Sequence, residues 1–88
     1  MEVHKQISSH SEKQHTIVKA FLYYDELREQ YIEKAVNHAI HGEPFSVEDI
    51  NSAAEKINEI AAANGITPSR IIVTKEMIDE YAKKKQRP

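Results

Sequence analysis

Hydrophobic positions recur with helical period in three segments of the chain. The first ends at His41 and begins at about Ser11, or as early as Val3. In it Ile7, Ile17, Val18, Phe21, Ile32, Ala35, Val36 and Ala39 share one stripe at about 100° per residue. Gly42 then supplies a left-handed stop, and Pro44 bars continuation. The start has more than one reading, because Ser9-x-x-Glu12 and Ser11-x-x-Gln14 both spell capping boxes. Residues 2–8 then read as a frayed end or a separate turn.

The second helix is the best marked. Ser46 reads as its N-cap with Asp49 at the third position, and Phe45 and Ile50 are placed for a hydrophobic staple. Val47, Ile50, Ala53, Ala54, Ile57, Ile60 and Ala61 lie on one face, and Asn64-Gly65 ends it. Ile66 to Val73 is either extended, with Ile71 or Ile72 and Val73 inward, or a short helix capped by Thr67 with Pro68 at its first position. Thr74 reads as another N-cap, with Val73 and Ile78 spaced for a second staple. From it a third helix runs from Lys75 to about Lys85 with Met77, Ile78, Tyr81 and Ala82 inward. The expected fold is all-α, one domain over residues 1–88. A long N-terminal helix meets an antiparallel second helix through the tight Gly42–Phe45 connection, a short third helix packs across both, and residues 83–88 form a basic tail.

Composition narrows the class. A chain of 88 residues buries roughly 60% of its unfolded surface, so its stability is marginal. The absence of cysteine removes both a disulfide framework and a thiolate metal site. Eleven Ile and nine Ala, against two Leu and no Trp, make a core of modest volume. A net charge of −2 gives no bulk attraction to nucleic acid or to an anionic membrane. Met1 to Gln6 precede no apolar stretch of a secretory signal, and no uncharged apolar run approaches the roughly 18 residues of a membrane helix. The expectation is a cytoplasmic protein without a membrane partner.

Candidate chemistry is sparse. Glu12-x-x-His15 has the carboxylate–imidazole spacing of a di-iron bundle, but such sites need two of these motifs and two further carboxylates. His38 and His41 could chelate a borderline ion, yet the stronger reading is that near a helix C-terminus their protonated rings interact favourably with the helix dipole. There is no Gly-x-Ser-x-Gly elbow and, with two glycines, no phosphate loop. Neither enzymatic activity nor a cofactor is expected.

The first helix carries more apolar surface than a singly packed helix needs. Ala20, Tyr23, Leu27, Tyr31 and His38 form a second flank, while Asp25 and Arg28 intrude into the main stripe at about 340° and 280°. The flank is covered by a second intramolecular partner or by another copy of the chain. Length favours self-association, since about thirty residues span about 45 Å and the third helix only about 16 Å. Tyr23, Leu27 and Tyr31 are then the interface, with Asp25 and Arg28 fixing its register across a homodimer. The function expected is a protein–protein interaction module.

A competing reading is nucleic-acid binding. Ala61, Gly65 and Ile71 have helix-turn-helix spacing within residues 57–87, with Ser69 and Arg70 opening a recognition helix. Lys75, Lys83, Lys84, Lys85 and Arg87 would add phosphate contacts, since residues 68–88 hold six basic and three acidic side chains. Against it, Thr74 stands as a fresh cap where a recognition helix wants an apolar residue.

The stretches Val3-His4-Lys5 through Ser11-Glu12-Lys13-Gln14-His15, Phe45-Ser46, Gly65-Ile66-Thr67-Pro68 and Val73-Thr74-Lys75-Glu76-Met77-Ile78 resemble a small uncharacterised protein family of Bacillus-type bacteria. The resemblance spans nearly the whole chain. It implies a bacterial, cytoplasmic setting and transfers no catalytic residue.

Overall fold

The computed structural model describes residues 2–86, with side chains described from Gln14 onward. Its elements are α1 (Glu2–Ile40), α2 (Glu48–Asn64) and α3 (Lys75–Gln86), with no strand among the described residues. The all-α expectation holds. α1 is continuous from Glu2, so both capping boxes lie within the helix and residues 2–8 are its first turns. Once a helix is nucleated, each further residue adds a backbone hydrogen bond, and that outweighs a competing cap.

The stops and starts are local chemistry. Gly42 takes φ 69° and closes α1 as a Schellman motif, its N–H on Ala39 O (3.1 Å) and the Glu43 N–H on His38 O (2.8 Å). Gly65, also at φ 69°, ends α2 with its N–H on Ala61 O at 2.8 Å. α2 starts one residue later than expected, because Val47 O accepts the first helical bond, from the Asn51 N–H. Ser46 still contributes, its Oγ accepting the Glu48 N–H at 3.1 Å. Thr74 caps α3 as expected, Oγ1 accepting the Met77 N–H at 3.3 Å, and Val73 and Ile78 are buried on either side of that cap.

α2 runs antiparallel to α1. α3 runs parallel to it, its last residue, Gln86, donating from Nε2 to Ile40 O at the C-terminus of α1 (3.1 Å). The expectation that α3 packs across both helices is corrected here. Its backbone approaches α1 closely and α2 nowhere, because the chain between α2 and α3 occupies the intervening space. The helices still share one core, in which Ala35 and Val36 of α1 meet Ile50 of α2, Val73, and Ile78 and Ala82 of α3. Ile50, Ile57 and Val36 are the largest fully buried side chains. Each contributes about 1.5–3 kcal/mol by leaving water.

The molecule measures 61 × 24 × 16 Å, with a radius of gyration of 17.5 Å against about 12 Å for a compact chain of this length. α1 sets the long axis, since its 39 residues span about 58 Å and the 17 of α2 about 25 Å. No described side chain of α1 before Phe21 is buried.

Candidate interaction surface

Two asparagines of α2 hold the chain that leads to α3. Asn58 Oδ1 accepts the Arg70 N–H (2.7 Å), and its Nδ2 donates to Arg70 O (3.0 Å). Asn51 does the same for Val73, at 2.8 and 2.9 Å. Each side-chain amide stands in for a neighbouring strand, satisfying both backbone groups of one residue. The spacings agree, since Asn51 and Asn58 are about 10.5 Å apart along the helix and Arg70 and Val73 about 10 Å apart along extended chain. A helical course would shorten the second distance to about 4.5 Å and lose one clamp. Residues 65–74 are accordingly not helical, and the extended alternative is the one formed. The helix-turn-helix expectation fails here, because no recognition helix opens at Ser69 and Arg70. Asn64 completes the turn, its Oδ1 accepting the N–H groups of Ile66 (2.6 Å) and Thr67 (3.1 Å).

Arg70 ties this strap to α1. Its Nε donates to Asp25 Oδ1 at 2.9 Å, and its guanidinium lies 5.3 Å from the centre of the Phe21 ring. The hydrogen bond to Asp25 raises the Arg70 pKa above its ordinary value, with burial opposing. Arg70 is therefore engaged within the fold rather than free for phosphate. The expected pairing of Asp25 with Arg28 is also corrected, since the strap brings Asp25 its partner from 45 residues away. Among the described residues Arg28 reaches only Glu29, at 3.7 Å, and its buried Nε has no hydrogen-bond partner among them.

α1 presents two grooves. On the α2 side, Tyr24, Leu27 and Tyr31 face Asp49, Ala53 and Lys56 across an open groove of about 230 Å³. Leu27 and Tyr31 are half-buried there, so α2 accounts for most of the predicted interface flank. Tyr23 remains 61% exposed, its ring edge-on to Tyr24 with centroids 5.1 Å apart. On the α3 side, a groove of about 220 Å³ lies between Arg28 and Ile32 of α1, Ile71 of the strap, and Met77 and Tyr81 of α3. Met77 and Tyr81, expected inward, are 39% and 50% exposed, and Ile71 is 64% exposed. The backbone of α3 lies close to α1 alone among the helices, and only Ile78 and Ala82 of α3 reach the shared core.

The remaining candidates lie apart. His15 is exposed on α1, and the Glu12 side chain is outside the described residues, as is Arg87. His38 Nδ1 lies 3.2 Å from Glu43 Oε1, whereas His41 Nδ1 lies 2.7 Å from Asn37 O, so the two imidazoles are held by different partners. Among the described residues no group of three His, Cys, Asp or Glu side chains could hold an ion. Ser69, Lys75, Lys83, Lys84 and Lys85 are exposed, with the Lys85 ammonium 5.5 Å from the centre of the Tyr81 ring. Among the described residues no helix is long and apolar enough to cross a membrane.

Asn51 and Asn58 are the structural anchors that sequence reasoning passes over. Their signal is available in principle, as poor helix formers two turns apart bordering the apolar face of α2.

No solved structure matches the chain. It is 46% identical over 80 residues to the uncharacterised protein YpbS of Bacillus subtilis (strain 168), a match covering 91% of this chain and 93% of that relative. Residues 1–84 match the model of the family described as protein of unknown function (DUF2533). That match takes in α1, α2 and all but the last two residues of α3, and the chain belongs to the DUF2533 family.

Proposed function

We propose that this protein is a non-enzymatic, cytoplasmic interaction module that self-associates through α1. One observation carries the reading: α1 is more than twice as long as α2 and more than three times as long as α3, and Val18, Leu22 and Tyr23 stay exposed on it at 40%, 56% and 61%. Large apolar side chains in that number are costly on a chain with so thin a core, and association is the common remedy. Open grooves rather than an enclosed pocket favour binding by surface over catalysis. Sedimentation equilibrium at tens of micromolar tests it. A mass near twice 10.1 kDa is expected, and a mass that stays at 10.1 kDa rejects the proposal.

A further inference from the structure

We infer that a second copy of the chain docks on the α3-side flank of α1, with the two α1 helices parallel. The inference rests on the self-association proposed above and assigns it a face and an orientation. The flank with Tyr24, Leu27 and Tyr31 is taken by α2. At about 100° per residue, Val18 and Leu22 project on the opposite flank, in line with Glu29 and Glu33. There they extend the apolar surface that Ile71, Met77 and Tyr81 leave open around Ile32.

Two arguments identify the occupant as another copy. The first is charge. An adjoining groove of about 210 Å³ continues this surface, with Glu29 and Glu33 on its α1 wall, Lys85 on its α3 wall and Ile32 and Tyr81 between them. Arg28 lies 3.7 Å from Glu29, which leaves Glu33 as the free acid of that wall among the described residues. A two-fold axis along the groove sets each acidic wall against the other copy's Lys85 and keeps the α1 helices parallel. An axis across the groove would face acid with acid, which disfavours the antiparallel pairing. The surface is thus complementary to itself in one orientation. The second argument is area. The exposed parts of Val18, Leu22, Ile71, Met77 and Tyr81 amount to about 450 Å² per copy, within the range of the largest apolar patch on a monomer, which is often a functional one. Pairing doubles that, and with its polar rim it reaches the roughly 1,200 Å² at which specific dimers begin.

Sedimentation equilibrium of full-length variants tests the assignment, with circular dichroism to verify unchanged helicity. Ile71→Glu, at an exposed position, should raise the dimer Kd at least about tenfold, as should Glu33→Lys and Lys85→Glu separately. Mixing Glu33→Lys with Lys85→Glu should restore association, because each altered wall then faces its opposite. That rescue has no source within one chain, where both variants carry like charges across the groove. Because the chain has no native cysteine, Val18→Cys and Ile71→Cys can each be oxidised alone, and each should give a covalent dimer if the helices are parallel. A wild-type dimer indifferent to Ile71→Glu and Glu33→Lys but dissociated by Tyr23→Glu overturns this face while leaving self-association intact. A mixture that stays monomeric, or a Val18→Cys chain that links only to Ile71→Cys, overturns the orientation. A monomeric wild type overturns both readings.

Discussion

The two sides of α1 are covered by different means. α2 packs on its side with a broad apolar face, in which Ala53 and Ala54 let the backbones approach and Ile50 and Ile57 fill the space between, leaving a groove at Leu27 and Tyr31. On the other side α3 contributes only Ile78 and Ala82 to the core, and a non-helical strap fixes its position. One side is held by apolar burial and the other largely by a few directed hydrogen bonds. The comparison teaches that equal apolar periodicity does not mean equal cover. How much of a stripe is buried depends on how closely the neighbouring backbones approach, and α1 alone among the helices approaches α3 closely.

The contrast makes predictions of decreasing size. Ile57→Ala, in the α2 seam, should cost about 2–5 kcal/mol in urea unfolding, whereas Met77→Ala at the edge of α3 should cost under about 1 kcal/mol. Equal costs would erase the distinction between the two sides. Asn58→Ala removes two hydrogen bonds and leaves the backbone of Arg70 without its clamp, for an expected loss of about 1–3 kcal/mol. Hydrogen exchange should show the Arg70 and Val73 amides accelerated by more than the amides of α2. If they are not, the strap is held by packing rather than by asparagine.

Asp25→Ala should cost about 1–2 kcal/mol, since Asp25 and Arg70 are each less than one-third exposed and share a charge-assisted bond. A double-mutant cycle with Arg70→Ala should return most of that as coupling; additive losses would mean that Phe21 and the asparagine clamp hold Arg70 unaided. The smallest effect is expected for Arg28→Met. It keeps the volume of the side chain while removing an unpartnered buried donor, so stability should stay within about 1 kcal/mol of wild type or rise. A loss beyond that in the monomer would show that Arg28 is satisfied in solution.

Sequence alone marks the helix ends well, because caps are local. Gly42, Gly65 and Thr74 do in the fold what their residue types suggest, and Ser46 misses by one position. Arg70 and Asp25 are illegible at that level. Each looks like a surface charge or half of a nearby pair until the strap sets them 2.9 Å apart. The same holds for Leu27 and Tyr31, whose place on the α1 wheel is plain but whose cover by α2 is not.

The family follows from the sequence, as do the helical class and most boundaries of its elements, the start of α1 excepted, since capping and periodicity act over one or two turns. Tertiary structure decided the rest: the non-helical course of residues 65–74, the direction of α3, and which apolar side chains stay open. Those outcomes depend on groups far apart in the chain, Asn58 with Arg70 and Gln86 with Ile40 among them. Hydrogen bonds of that range leave no period in a sequence; they form only after the helices have brought their partners together.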